Sequence, residues 1–313
     1  VIINAIPADL KSAIAGGIGL FIAFLGLSDG GIVAANKDTI IGFGDWSKPA
    51  TLLTIFGILV TFALFARHVP GAIFIGLVIT AVAGLIIGQI HAPTEIISTV
   101  PSLKPTFGQA IFGLKDLGSL QMLVAVVTFL LVAFFDTAGS LIGAARAGGF
   151  LVNNELPNAG KALMADSIGM LGGSLLGTSP TTAYIESSTG IAVGGRTGLT
   201  SVFTGIFFIL ALAFSPLLTV VTSQVTAPAL IVVGVLMAGS LGSIDWEDFP
   251  MAAAAFLTVL GMPLSYSISD GIALGFIVYP FLMLVTGRGK QVHPIMYGLG
   301  LVFVAFMVIL QIG

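Results

Sequence analysis

The stretch GTSPTTAYIESSTGIAVGG, residues 177–195, lies between apolar stretches, and its part Thr181–Gly195 is too short and too polar to cross a membrane as one plain helix. Pro180 removes a backbone donor, and the pair Thr181–Thr182 with Tyr184 favours extended backbone. Non-helical backbone survives at membrane depth only where it lines a cavity or is buried in protein. The stretch therefore predicts a chain that runs extended and then starts a short helix near Glu186, inside a bundle of membrane helices.

The composition identifies lipid as the solvent for most of the surface. Of the 313 residues, 57% are hydrophobic and only 8% are charged, and the mean hydropathy is +1.12. Soluble globular domains carry about 25% charged residues, so a soluble fold could not cover its surface with so few. The sequence contains no cysteine, which excludes disulfides and thiolate metal sites, and no basic cluster that would predict a nucleic-acid partner.

Apolar stretches of about the length of a membrane span recur along the whole chain. The predicted spans are Leu10–Leu27, Pro49–Ala66, Val69–Ile90, Gln121–Gly143, Gly160–Gly177, Thr197–Val220, Thr226–Leu241, Phe249–Leu264, Ser269–Thr286 and His293–Ile312. The region 249–286 is also compatible with one long pair of helices that is broken around Pro263. In the loop from His91 to Gly118, the mixed residues around Phe107–Leu114 predict an amphipathic piece at the membrane interface.

The basic residues give a modest test of the topology. If the first span runs outward from the cytoplasm, and residues 181–195 count as one crossing, seven of the eleven Lys and Arg residues lie on the cytoplasmic side. This distribution agrees with the positive-inside rule. The last span then leaves the C-terminus outside, or lies as a re-entrant or interfacial helix.

The predicted spans contain a weak internal repeat. The first three form one hydrophobic block, and the spans from Thr226 to Thr286 form a second block. A more polar, glycine-rich block lies between them, at Gln121–Val220. Two three-helix blocks around a polar block are typical of an inverted-repeat transporter. The last span, His293–Ile312, is one more than this repeat predicts.

Two carboxylates are the strongest candidates for a functional role. Asp136 lies well inside a span and is followed by small residues, and Glu186 lies where the short helix is predicted to begin. A charge at the bilayer centre costs at least about 2.5 kcal/mol, so such residues are functional candidates by default. The free N–H groups of a helix start also suit a polar ligand. A structural hydrogen bond for Asp136 and helix capping for Glu186 remain the alternatives.

Other polar residues have plainer interpretations. Asp166 is equally compatible with a site role and with capping the start of a helix, whereas Asp270 is predicted to cap the helix that follows it. Arg196 is interpreted as a cytoplasmic anchor. All three histidines, His68, His91 and His293, lie at predicted span ends, and no HExxH or similar pair predicts a metal site.

The sequence has no element that would hydrolyse ATP, because GxxxxGK[ST] occurs nowhere in it. An ion gradient would then drive transport. Burial disfavours the charged form of a carboxyl group, so a buried carboxyl can take up a proton together with a solute and release it on the other side. A carboxylate also accepts N–H bonds well, which suits a heterocycle with adjacent N–H donors. These residues alone do not say which heterocycle.

At this point the chain resembles a known family. FFDTAGSLIG, ADSIGMLGGSLLGTSPTTAYIESSTGIAVGGRTGLTSV and APALIVVGVLM resemble the AzgA-like purine permeases of the nucleobase/ascorbate transporter superfamily, and IPADLKSAIAGGIGLFIAFLGL resembles the fifth membrane segment of that family. The resemblance covers essentially the whole chain.

The resemblance implies an all-α polytopic fold of fourteen segments in two inverted repeats of seven, with core and gate domains and a short strand before the half-helix of segment ten. Residues 1–117 would form the first part of the gate domain, 118–225 a part of the core domain, and 226–313 the second part of the gate domain. Segments one to four would be absent, which leads us to expect a fragment of a longer protein.

The resemblance also implies the site. Asp136 matches the acidic residue of segment eight and Glu186 that of segment ten, and both are expected to contact a purine and to take part in proton coupling. Thr137, Ser140, Thr181 and Thr182 lie in matched positions near them. A homodimer through the gate domain is expected as well.

The function predicted from the sequence is transport of hypoxanthine, guanine or adenine by proton symport, in a multi-pass protein of the cell membrane. The expected partners are the purine, the proton and the lipid bilayer, with no cofactor and no nucleic acid. The runner-up is a secondary anion transporter or channel of the same architecture, which the two carboxylates disfavour because like charges repel. An enzyme lacks a supporting residue cluster, and a purely structural or sensor protein would not need two costly carboxylates. Sodium coupling remains open.

Overall fold

The computed structural model describes the chain except residues 1–4, 94, 101, 114–117, 119–121, 123–125, 127–128, 131–132, 135–136, 139, 142–143, 146–147, 153–155, 180, 185–186, 193 and 313. The described residues are mostly helical. The helices are α1 Ala8–Asp29, α2 Pro49–Ala66, α3 Ala72–Ile86, α4 Gln109–Gly113, α5 Ala159–Leu176, α6 Ser187–Ala192, α7 Gly198–Ala211, α8 Ser223–Ala238, α9 Phe249–Ser265, α10 Ile268–Val285 and α11 Pro294–Ile312. The described residues between 122 and 145 are helical as well.

These helices confirm the predicted multi-pass membrane fold. Within the described residues, five helices are long and apolar enough to cross a membrane: α1, α2, α10, and α7 and α8 with the 3-10 turns that extend them to Val220 and Ser243. Shorter apolar helices are α3, α9 and the first part of α11. Helix α5 is absent from both groups because Lys161 and Asp166 lower its hydropathy.

The region 249–286 forms two separate helices. The chain reverses at Tyr266, which has a left-handed backbone with φ 57°, and not at Pro263, which lies inside α9. Proline therefore does not mark the break. The Ser267 hydroxyl accepts the backbone N–H of Asp270 at 3.3 Å and so caps α10.

Two strands form the only sheet in the described part of the chain. β1 (Val33–Asn36) and β2 (Ile40–Phe43) pair antiparallel, with Val33 opposite Phe43, between the end of α1 and the start of α2. The Phe43 and Trp46 rings meet edge to face with their centroids 5.4 Å apart. The sequence patterns did not predict this hairpin.

The chain folds into two compact units. The first contains Val1–Gly17, Pro101–Thr200 and Ser240–Gly313, and the second contains Ile18–Val100 and Ser201–Gly239. The gate and core division at 1–117, 118–225 and 226–313 stays a prediction.

In the second unit, α2 and α3 pack through threonines that sit on glycines. Thr61 of α2 lies over Gly76 of α3, while Thr80 of α3 lies over Gly57 of α2, where an added Cβ would stand 2.6 Å from the Thr80 hydroxyl. Each threonine donates its hydroxyl to the carbonyl one turn back in its own helix at 2.7 Å, Thr61 to Gly57 and Thr80 to Gly76. The hydroxyls are thereby satisfied within each helix, and the helices approach closely through their small residues.

In the first unit, α9 and α10 pack in a related way. Thr258 of α9 lies over Gly275 of α10, and Met262 lies over Gly271. The contact residues are again four apart within each helix, as in the α2–α3 pair. Both hairpins occupy corresponding places in the two sequence blocks, which agrees with the predicted repeat.

The last helix, α11, packs against α10. The Phe276 and Phe303 rings meet edge to face with centroids 5.6 Å apart, and an added Cβ on Gly300 would stand 2.8 Å from the Phe276 carbonyl oxygen. Arg288, in the loop between these helices, forms an ion pair with Asp248 at 2.6 Å. The hydrogen bond that Arg288 donates to the Asp248 carboxylate raises the pKa of the guanidinium. This ion pair ties the loop to the start of α9.

We expect Gly76→Ala to destabilise the protein by about 1–3 kcal/mol, because the added methyl group overpacks the contact with Thr61. The measurement is the thermal unfolding midpoint of the purified protein in detergent. Gly205→Ala is the matched control, since Gly205 lies inside α7 with open space where its Cβ would stand. The swap Thr61→Gly with Gly76→Thr should recover stability, and equal midpoints for Gly76→Ala and Gly205→Ala would contradict the packing account.

Candidate functional site

The two carboxylates that the sequence singled out, Asp136 and Glu186, lie outside the described residues. Their roles therefore stay predictions. The structure does describe the residues beside them, including Thr137 and Ser187, and these define the surroundings of the predicted site.

Thr137 is fully buried and contacts an acidic side chain. It is only 1% exposed, and its hydroxyl donates to the Asp166 carboxylate at 2.7 Å. Asp166 lies well inside α5, whose N-cap residue is Asn158, so Asp166 does not cap the helix. Of the two interpretations of Asp166 that the sequence left open, capping is therefore excluded, and Asp166 joins the candidate site as the partner of Thr137.

Ser140 lies one turn beyond Thr137 and is also buried. Residues three apart in a helix share one face. The helical segment around 122–145 thus presents two hydroxyls, those of Thr137 and Ser140, on the side that is turned away from solvent and lipid.

One face of α5 brings three of these polar groups together. Asp166, Gly169 and Gly173 are spaced at three and four residues and therefore lie along one side of the helix. The Thr181 side chain lies over the glycine part of that side, where Cβ atoms added to Gly169 and Gly173 would stand 3.6 and 3.5 Å from its nearest atoms. Thr137 and Thr181 thus approach the same face of α5, and the neighbouring Thr182 is half-buried.

Residues 181–184 have no regular secondary structure. The sequence predicted extended backbone and the family resemblance implied a short strand here, but a strand needs a hydrogen-bonded partner. In the described part of the chain the paired strands are β1 and β2, elsewhere. The interruption of the helix is as predicted, and the short helix α6 begins at Ser187, next to Glu186.

Arg196 makes contacts that its sequence position did not indicate, and its interpretation as a cytoplasmic anchor stays a prediction. Its guanidinium donates to the backbone carbonyls of Ile191 and Gly195, at 2.5 and 3.0 Å, and lies over the Phe150 ring with 5.4 Å to the centroid. Cations favour the carbonyl end of a helix. Arg196 therefore closes the C-terminal end of α6, a contact that a charge count along the chain could not reveal.

Apolar spanning helices, an interrupted helix and buried hydroxyls that face a carboxylate define a class of protein: a polytopic membrane transporter. Residues 1–274 match the model of the Permease family, and the chain belongs to this family. It is therefore a transporter and not an enzyme, and it is a multi-pass protein of the cell membrane. The resemblance to AzgA-like permeases is confirmed.

Similar proteins carry related names. The guanine/hypoxanthine permease PbuG of Bacillus subtilis (strain 168) is 54% identical over 310 residues, which are 99% of this chain and 70% of that protein. The adenine permease AdeQ of Escherichia coli (strain K12) is 41% identical over 292 residues, 93% of this chain and 65% of that protein. The transmembrane domain of a cyanobacterium bicarbonate transporter, BicA, has a TM-score of 0.56 at 18% identity and covers 87% of this chain and 69% of its own. That likeness shows the fold alone.

We expect the Thr137–Asp166 hydrogen bond to contribute about 1.5–3 kcal/mol, because its acceptor is a carboxylate in a partly buried site. A double-mutant cycle with Thr137→Val and Asp166→Asn, followed by thermal unfolding in detergent, measures this coupling. Ser167→Ala replaces Asp166→Asn in the control cycle, since the Ser167 hydroxyl is exposed and donates to Leu163 in its own helix. Additive effects of Thr137→Val and Asp166→Asn would show that the two side chains are not coupled.

Proposed function

We propose that this protein transports purine nucleobases across the cell membrane together with protons. The observation that carries the proposal is the buried Thr137 hydroxyl bound to Asp166, next to Asp136 in the sequence. It indicates a polar pocket that is maintained inside an apolar helix bundle. The names of the relatives support a nucleobase as the solute: guanine/hypoxanthine for PbuG, and adenine for AdeQ.

The chemistry of a purine fits these side chains. Purines present ring N–H donors beside ring nitrogen and carbonyl acceptors. A carboxylate has about four acceptor positions, so Asp166 can bind Thr137 and still accept an N–H. We propose that Asp136 and Glu186 accept N–H groups of the purine, and that Thr137, Ser140, Thr181 and Thr182 shape the pocket and provide hydroxyls.

Proton coupling follows from the cost of a buried charge. When Asp136 or Glu186 is protonated, the site carries less charge. The free energy that it costs to hold the site inside the membrane is then lower. We propose that one or both residues take up a proton with the purine and release it on the other side. We also propose that the chain divides into gate and core parts at residues 117 and 225. Two copies of the protein would form a homodimer through the gate part.

The alternative solute is an anion. The fold is shared with a bicarbonate transporter, but three carboxylates around one pocket would repel an anion. Uptake experiments separate the two solutes.

We expect radiolabelled hypoxanthine to enter cells that lack their own purine permeases when they express the complete gene. Excess guanine or adenine should compete with this uptake, and a proton uncoupler should stop it, since the gradient supplies the energy. Replacing sodium in the medium should leave uptake unchanged. Uptake that depends on sodium and resists the uncoupler would refute the proton, and no purine uptake from a well-inserted protein would refute the purine.

We expect Asp136→Asn to abolish this uptake while membrane insertion stays intact, because the amide cannot carry a proton. Glu186→Gln should weaken purine binding more than it changes expression. Asp270→Asn is the control, since Asp270 lies in the first turn of α10, which Ser267 caps. Normal uptake by Asp136→Asn would remove Asp136 from the mechanism.

A further inference from the structure

The short helix α6 depends on other segments of the chain for its position. It is six residues long, and isolated helices shorter than about 12 residues are marginal in water. Contacts from outside the helix must therefore hold it in place. Because α6 begins at Ser187, next to Glu186, the contacts that fix this helix also fix the backbone that leads into the predicted site.

The C-terminal end of α6 lies against the turn that follows the helical segment around 122–145. The Phe150 N–H donates to the Ala145 carbonyl at 2.8 Å, which attaches the turn to the end of that segment. A Cβ added to Gly148, in the turn, would stand 2.8 Å from the Ile191 side chain. The turn and the last part of α6 are therefore in direct contact.

Arg196 binds both sides of this contact. Its guanidinium donates to the carbonyls of Ile191 and Gly195 at the end of α6, and it lies over the Phe150 ring, 5.4 Å from the centroid. A cation is favoured at the carbonyl end of a helix and also on the face of an aromatic ring. The planar guanidinium can donate from its edge while its face covers the ring. One side chain thus joins α6 to the turn.

The two elements that Arg196 joins carry candidate residues of the site. The helical segment around 122–145 presents the buried Ser140, and α6 begins at Ser187. Ser187 lies four residues before Ile191, which is only about 6 Å along the helix. A tilt or shift of α6 at the Arg196 contact would therefore move its start relative to Ser140. A site of this kind needs such supporting contacts, because its groups must be held in one arrangement.

We propose that Arg196 is a positioning residue for solute binding, an inference that rests on the proposed transport function. Arg196 acts through α6 and does not contact the solute. It holds α6 against the turn at Phe150, and so fixes the distance from the start of α6 to the hydroxyls of Thr137 and Ser140. When this contact is lost, α6 tilts or shifts, and the groups that bind the solute are no longer held together.

Distances between spin labels test the positioning without any solute. These 313 residues contain no cysteine. Leu130→Cys and Ser187→Cys can therefore be labelled as a pair in the full protein, with any cysteine elsewhere replaced by serine. Leu130 is exposed on the helical segment and Ser187 is exposed in α6. We expect Arg196→Gln to broaden the distribution of distances between the two labels, and Phe150→Leu, which removes only the ring, to broaden it less.

Uptake kinetics connect this position to the solute. We expect Arg196→Gln to raise the KM of hypoxanthine uptake severalfold, while the amount of protein in the membrane stays the same. Arg196→Lys keeps the charge without the planar fork, so it should raise the KM less. Arg67→Gln is the matched control. It removes the same charge at the exposed C-terminal end of α2, which the predicted topology also places in the cytoplasm, and it should leave the KM and the label distances unchanged.

Either of two results would overturn the proposal. One is an unchanged distance distribution in folded Arg196→Gln, and the other is a KM equal to that of Arg67→Gln. Fewer inserted molecules with an unchanged KM would leave Arg196 only the role of a cytoplasmic anchor. If the protein takes up no purine, the proposed function fails, whereas the label distances still decide whether Arg196 positions α6. Gel filtration shows whether each variant is folded, and Phe150→Leu replaces Arg196→Gln if that variant is not.

Discussion

The constraint behind this structure is that lipid offers no hydrogen bonds, so each polar group inside the membrane must find its partner within the protein. Thr61, Thr80 and Thr258 meet this requirement locally, since each donates its hydroxyl to the carbonyl one turn back in its own helix. The same threonine side chains lie over glycines of the neighbouring helix, with the hydroxyl oxygen nearest to the glycine. Thr137 does not follow this pattern. Its hydroxyl reaches another segment of the chain, where it donates to Asp166, and this departure marks the candidate site.

The candidate site combines a regular helix with a neighbouring segment that has no regular secondary structure. Helix α5 offers Asp166 and two glycines on one face, and the chain around Thr181 lies over that face without regular secondary structure. Arg196 donates to the carbonyls of Ile191 and Gly195 at the far end of α6.

Local patterns in the sequence predicted a large part of this fold. The bounds of α2 agree residue for residue, and the start of α6 was predicted next to Glu186, because hydropathy and helix-breaking residues are properties of neighbouring residues. The Thr137–Asp166 bond joins residues 29 apart and depends on how two helices pack. No periodicity contains that information. The β1–β2 hairpin and the carbonyl contacts of Arg196 lie within short stretches of the chain. They escaped prediction because hydropathy and helix-breaking residues do not encode strand pairing or side-chain hydrogen bonds.

The two threonine–glycine hairpins differ in one respect that bears on motion. In the α2–α3 pair, each helix contributes one threonine and one glycine. A slide by four residues, about 6 Å, in the direction that brings Thr61 against Thr80 would make the two threonines collide. In the α9–α10 pair, both bulky residues belong to α9 and both glycines to α10, so the same slide would place Thr258 over Gly271 without such a collision. This slide is thus opposed in the first hairpin by the helix faces themselves, and in the second by the connection of only two residues, Tyr266 and Ser267, that joins α9 to α10.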